Sequence, residues 1–156
     1  MALSKIDGTN LIEGTVPSTV APGAGKVLQV VSVTSTAQQT TTSGTYVAST
    51  GFTASITPSS TSSKILVSVM SNIRSSADAS YTLYRGATNL AGSDSFVQIY
   101  AGGADIRQLM TINYLDSPST TSSTTYTLYF LAGAGTAYIN QEGSKQGQII
   151  LTEIGG

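Results

Sequence analysis

Apolar residues recur at every second position in one short segment after another, and this confines the chain to β structure. Ile65, Val67, Val69, Ser71 and Ile73 form one face of a long strand, with Leu66, Ser68 and Met70 on the other. Phe52, Ala54 and Ile56 alternate in the same way, as do Tyr81, Leu83 and Arg85, and then Tyr126, Leu128 and Phe130. Further short strands are read at Ser95 to Tyr100, Leu109 to Leu115, Ala137 to Gln141 and Gln148 to Ile154. Turn chemistry separates them: Pro58 to Ser63, Gly86 to Asn89, Gly102-Gly103, Asp116-Ser117-Pro118, and Gly133 with Gly135. No segment carries a helical apolar stripe with caps. About eight strands rich in Val, Ile, Thr and Tyr, at nearly even spacing, predict an all-β fold: a jelly-roll-like antiparallel β-sandwich. The first and last strands, Val27 to Val33 and Ile149 to Ile154, are apolar enough to lie centrally and are expected to pair with each other.

Residues 1–25 follow a different rule. Their apolar residues keep neither a strand nor a helical period, and Gly8, Gly14, Pro17, Pro22, Gly23 and Gly25 punctuate them. A segment with spaced apolar anchors but too little apolar surface to fold alone becomes ordered by docking on something else. We therefore divide the chain into an extended N-terminal attachment arm, 1–25, and a sandwich knob, 26–156. Leu3, Ile6, Leu11 and Ile12 are the expected anchoring residues of the arm.

Composition removes most catalytic chemistry. Cys, His and Trp are absent, which excludes disulfides, thiolate nucleophiles, His general bases and Cys or His metal ligands. None of the eight acidic residues stands at catalytic or calcium-loop spacing, and Gly23-Ala24-Gly25-Lys26 lacks the spacing of a phosphate loop. The expectation is a non-enzymatic protein without metal or cofactor. Seven basic residues against eight acidic ones offer no electrostatic footprint for nucleic acid. No run approaches the roughly 20 apolar residues of a membrane helix, and Met1 to Gly14 has no secretory pattern. Neither nucleic acid nor membrane is expected as a partner. Charged residues make up 10% of the chain, against about 25% in ordinary soluble domains. Such a surface suits subunits that cover one another.

Eight tyrosines stand out in so neutral a chain. Tyr favours strands and buries its ring, but exposed Tyr among hydroxyl and amide groups also stacks on sugar rings. Tyr84, Tyr100 and Tyr114 are the candidate glycan contacts. Arg74, Arg85 and Arg107 form a small basic set, read chiefly as solvated surface. The tetrapeptide Tyr81-Thr82-Leu83-Tyr84 returns as Tyr126-Thr127-Leu128-Tyr129, and both copies are read as strands rather than as a duplicated half.

Four stretches point to a family. Ser59 to Val67 (Ser-Ser-Thr-Ser-Ser-Lys-Ile-Leu-Val) resembles the Ser-Ser-x-Ser-Lys-Ile-Leu-Val strand entry of a tailed-bacteriophage, cyanophage-like virion appendage family. Gly25 to Val31, Tyr114 to Pro118 with the following Ser/Thr run and Tyr126, and Ile149 to Ile154 are similar to it in the same order. The resemblance implies a trimeric β-sandwich head, as on tail fibres, head fibres or capsid decoration (cement) proteins. It implies a structural virion protein, a short homotrimeric appendage whose arm docks on the major capsid protein or on a tail or baseplate protein. The alternative it leaves open is a host-receptor module binding a bacterial surface glycan. Either would be made in the host cytoplasm and end on the outer surface of the virion. The resemblance rests on strands and turns, so it carries over no site residue.

Overall fold

The computed structural model describes residues 25–140 and 146–156. The expected arm, with Leu3, Ile6, Leu11 and Ile12, lies outside the described residues except for Gly25.

The described residues form eleven strands and no helix. They are β1 (Val27–Ser35), β2 (Gln39–Thr41), β3 (Val47–Ile56), β4 (Lys64–Ser75), β5 (Ala79–Arg85) and β6 (Thr88–Asn89). β7 (Val97–Ile99), β8 (Ile106–Asp116), β9 (Thr124–Ala132), β10 (Ala137–Ile139) and β11 (Gly147–Ile154) follow. A strand whose period of two runs unbroken grows long, since each residue of one phase adds to a single buried face. In β4 every residue from Ile65 to Ser75 in that phase is buried.

Pairing is nested. β1 pairs with β11, β3 with β9, β4 with β8 and β5 with β7, all antiparallel. The first sheet therefore reads β1-β11-β4-β8 and the second β3-β9-β5-β7, the winding of a jelly roll. Short strands complete the edges: β10 continues beside β4 beyond β11, β2 pairs with β10, and β6 pairs with β5. The expected pairing of first and last strands is thus found. The expected central position of Val27 to Val33 is not, because among the described residues β1 pairs with β11 alone and forms an edge. Its second apolar face is exposed instead of covered, with Val27 and Val30 open to solvent.

The core lies between the sheets. Tyr81, Phe52, Phe130, Tyr126, Leu83 and Leu128 of the second sheet meet Ile65, Val67, Val69, Ile73, Ile149 and Leu151 of the first. Each fully buried large side chain contributes about 1.5–3 kcal/mol relative to exposure. Asn140 knits the break between β10 and β11. It sits at φ 50, a left-handed conformation that Asn tolerates better than most residues. Its amide nitrogen donates to the Ser35 carbonyl at 2.8 Å, and its side-chain oxygen accepts from the Ser71 hydroxyl at 3.1 Å.

Candidate functional site

The repeated tetrapeptide is where the two sheets and the outer surface meet. β5 and β9 run antiparallel with Leu83 opposite Leu128, so the two copies are related by a local twofold through that pair. Tyr81 and Tyr126 point inward and Tyr84 and Tyr129 outward, as the alternation requires. Tyr81 donates across the core to the Tyr138 carbonyl at 3.2 Å, and burial pushes its phenol well up. Tyr126 donates to Asp116 at 2.6 Å; burial first, then that carboxylate, pushes its phenol up as well. One copy thus anchors each end of the second sheet to the first.

Two carboxylates are buried in one row of the first sheet. Gln29, Glu153, Ile65 and Asp116 are cross-strand neighbours on β1, β11, β4 and β8. Arg85 holds Asp116 through Nη1 at 2.9 and 2.8 Å. Glu153 accepts from the Ser59 backbone N–H at 2.7 Å, the Ser59 hydroxyl at 2.6 Å and the Gln29 amide at 2.6 Å. Burial alone would raise the Glu153 carboxyl, but these donors outweigh it and hold it down at about 2. Both carboxylates are tied up in holding strands together. The remaining arginines are also paired with a carboxylate: Arg74 with Asp105 at 2.7 Å and Arg107 with the same Asp105 at 3.4 Å. Arg74 also lies over the Tyr138 ring, 4.8 Å from its centroid. Among the described residues no group of three or more Asp or Glu could hold a metal ion.

The outer faces of the two sheets differ in chemistry. On the first, Val30, Thr152, Leu66 and Leu115 form one cross-strand row; Ile150 and Met70 follow, then Leu109. Leu109 is 60% exposed and Met70 44%. Lys64 stands at one end of this face and Arg74 with Arg107 at the other, and the rows between them on these four strands carry no charge. The aliphatic side chains of this face alternate with Ser, Thr, Asn and Gln, and since β11 faces β4 over seven residues the four-stranded part is on the order of 450 Å². A cleft of about 140 Å³ lies on it between Met70, Thr111, Gln148 and Ile150.

The second sheet's outer face is aromatic and hydroxylic. Tyr84 and Tyr129 stack with centroids 3.9 Å apart, and Tyr46 meets Tyr84 edge-on at 6.2 Å. Beyond them the hydroxyls of Thr53 and Thr127 lie 2.8 Å apart and those of Ser55 and Thr125 2.7 Å. At the opposite end, Asp78, Ser80, Gln98, Tyr100, Leu131 and Gly133 line a cleft of about 150 Å³.

The three tyrosines singled out as glycan contacts do not share one platform. Tyr84 is on the second sheet's outer face. Tyr114 is on the inner face of the first, in phase with Ile112, and packs edge-on against Phe96 at 5.2 Å. Tyr100 follows β7, 76% exposed at the cleft. Composition also missed Tyr129 and the aliphatic face, although the apolar residues on both phases of Val27 to Val33 and Ile65 to Ile73 were its visible signal.

No model of a known protein family matches the chain, and no curated protein matches it significantly.

Proposed function

We propose that this chain is a non-enzymatic structural protein of a tailed-phage virion: a short homotrimeric appendage anchored by residues 1–25. The observation that supports this reading is the uncharged outer face of the first sheet, on which Val30, Leu66, Met70, Leu109, Leu115 and Ile150 stand among neutral polar side chains. Its four-stranded part, on the order of 450 Å², supplies about half of the roughly 800 Å² per partner of a stable interface. Its cross-strand rows are neutral over most of their length, so a second copy meets it without burying unpaired charge. Cement or head-fibre placement on the capsid and short-fibre placement on the tail both use the same device. The knob gathers three arms, and three individually weak attachments act together.

Particles purified from the host that makes this chain, labelled with an antibody against the knob, test the reading. Labelling on the particle surface, lost when residues 1–24 are deleted from a knob that still self-associates, is the expected result. A chain that remains in the host lysate and never on particles contradicts it.

A further inference from the structure

We propose that the cleft between β5 and β7 at the end of the second sheet binds a single neutral sugar ring. The inference goes beyond a structural role and does not need it, because all the residues of the cleft come from one chain. Tyr100 supplies the flat apolar surface. It is 76% exposed, with its hydroxyl held only at 3.4 Å by the Gln98 side-chain oxygen. An aromatic ring so open is available for the C–H face of a pyranose.

Asp78 lines the same cleft. Its Oδ1 accepts the Ala101 N–H at 3.1 Å, and its own carbonyl accepts the Gly133 N–H at 2.7 Å, so both side chain and backbone are fixed. The second carboxylate oxygen is taken by no hydrogen bond among the described residues, and a carboxylate accepts from sugar hydroxyls in charge-assisted bonds. Ser80 adds a hydroxyl and Gln98 an amide, while Leu131 and Ile99 give the cleft apolar wall.

Charge decides the class of sugar. Among the described residues Asp78 is the one charged residue lining the cleft, and the nearby Asp94 carboxylate accepts from the Gln98 amide at 3.1 Å. With a carboxylate and no cation among the described residues that line it, the cleft repels an acidic sugar and accepts a neutral one. The volume of about 150 Å³ suits one ring rather than a chain. A lone ring in so small a site binds with a Kd on the order of 1 mM.

Saturation-transfer NMR on the full chain with glucose, galactose, mannose and N-acetylneuraminic acid tests this. At least one neutral hexose should receive saturation at its ring C–H protons, and N-acetylneuraminic acid should not. Tyr100→Ala should weaken the hexose at least tenfold. Asp78→Asn, which keeps an acceptor for Ala101, should also weaken it about tenfold, while Tyr129→Ala should leave it unchanged. No transfer to any hexose, transfer that survives Tyr100→Ala, or stronger binding of the acidic sugar would each overturn the proposal. The sedimentation mass of the same samples reports self-association separately, so the loss of one property leaves the other readable.

Discussion

The Tyr126 phenol donates to the Asp116 carboxylate at 2.6 Å, joining one end of the second sheet to the end of β8 in the first. Arg85 grips the same carboxylate from β5 with its two contacts. Inter-sheet packing is mostly apolar and non-directional, so this cluster, the Tyr81 bond at the other end and the Thr50 N–H donated to the Gln39 side-chain oxygen at 2.9 Å fix the relative position of the two sheets.

Removing the phenol hydrogen-bond donor isolates that contribution. Tyr126→Phe should lower the unfolding free energy by about 1–3 kcal/mol, because a buried acceptor loses its donor. Asp116→Ala should cost more, since it strands both Arg85 and Tyr126. Urea unfolding of the two variants beside the native chain checks the order.

Glu153 makes the knob acid-sensitive in a defined window. Its carboxyl is held at about 2 in the fold against 4.5 when unfolded. A depressed folded value means that the unfolded state takes up the proton first. The stabilisation is therefore complete above about pH 5 and is lost as the pH falls from 4.5 towards 2. Glu153→Gln should flatten the stability profile across that range and lower stability at neutral pH; a profile identical to the native one excludes the assignment.

Gly147 opens β11 where there is no room for a side chain. A Cβ there would collide with the Phe52 ring and the Asn140 side-chain oxygen. Both neighbours are fully buried, so neither can swing away. Gly147→Ala should destabilise by about 1–3 kcal/mol through overpacking, read as a lowered denaturation midpoint.

The outer face of the first sheet should respond to charge without loss of fold. Met70→Glu changes an exposed side chain, so the stability of the single subunit should move by no more than about 0.5 kcal/mol. In an assembled face the same carboxylate is buried without a partner, and the complex should dissociate. Ser55→Glu, exposed on the opposite sheet, should leave the assembly intact. Size-exclusion chromatography with light scattering separates the two.

Where alternation ran long, the strand and its buried phase were both legible, as at Ile65 to Ile73 and Tyr126 to Phe130. β2 and β6 were not, because Gln39-Thr40-Thr41 and Thr88-Asn89 hold no apolar residue to mark a buried phase. The edge position of β1 was hidden for another reason. An apolar strand face reads the same whether it meets its own fold or another subunit. The tyrosines show the same limit: the inward aim of Tyr114 could be read from its phase with Ile112, whereas the stacking of Tyr84 on Tyr129 depends on the register of strands over forty residues apart. The Asp78–Tyr100 cleft had no local signal at all, since the Ala101 N–H and Asp78 meet only through the fold.

The assembly itself is the most direct test. Sedimentation equilibrium of the full chain at micromolar concentration should return three times the 16.0 kDa chain mass, falling to the single-chain value in Met70→Glu. A native chain that sediments as one 16.0 kDa species contradicts the account.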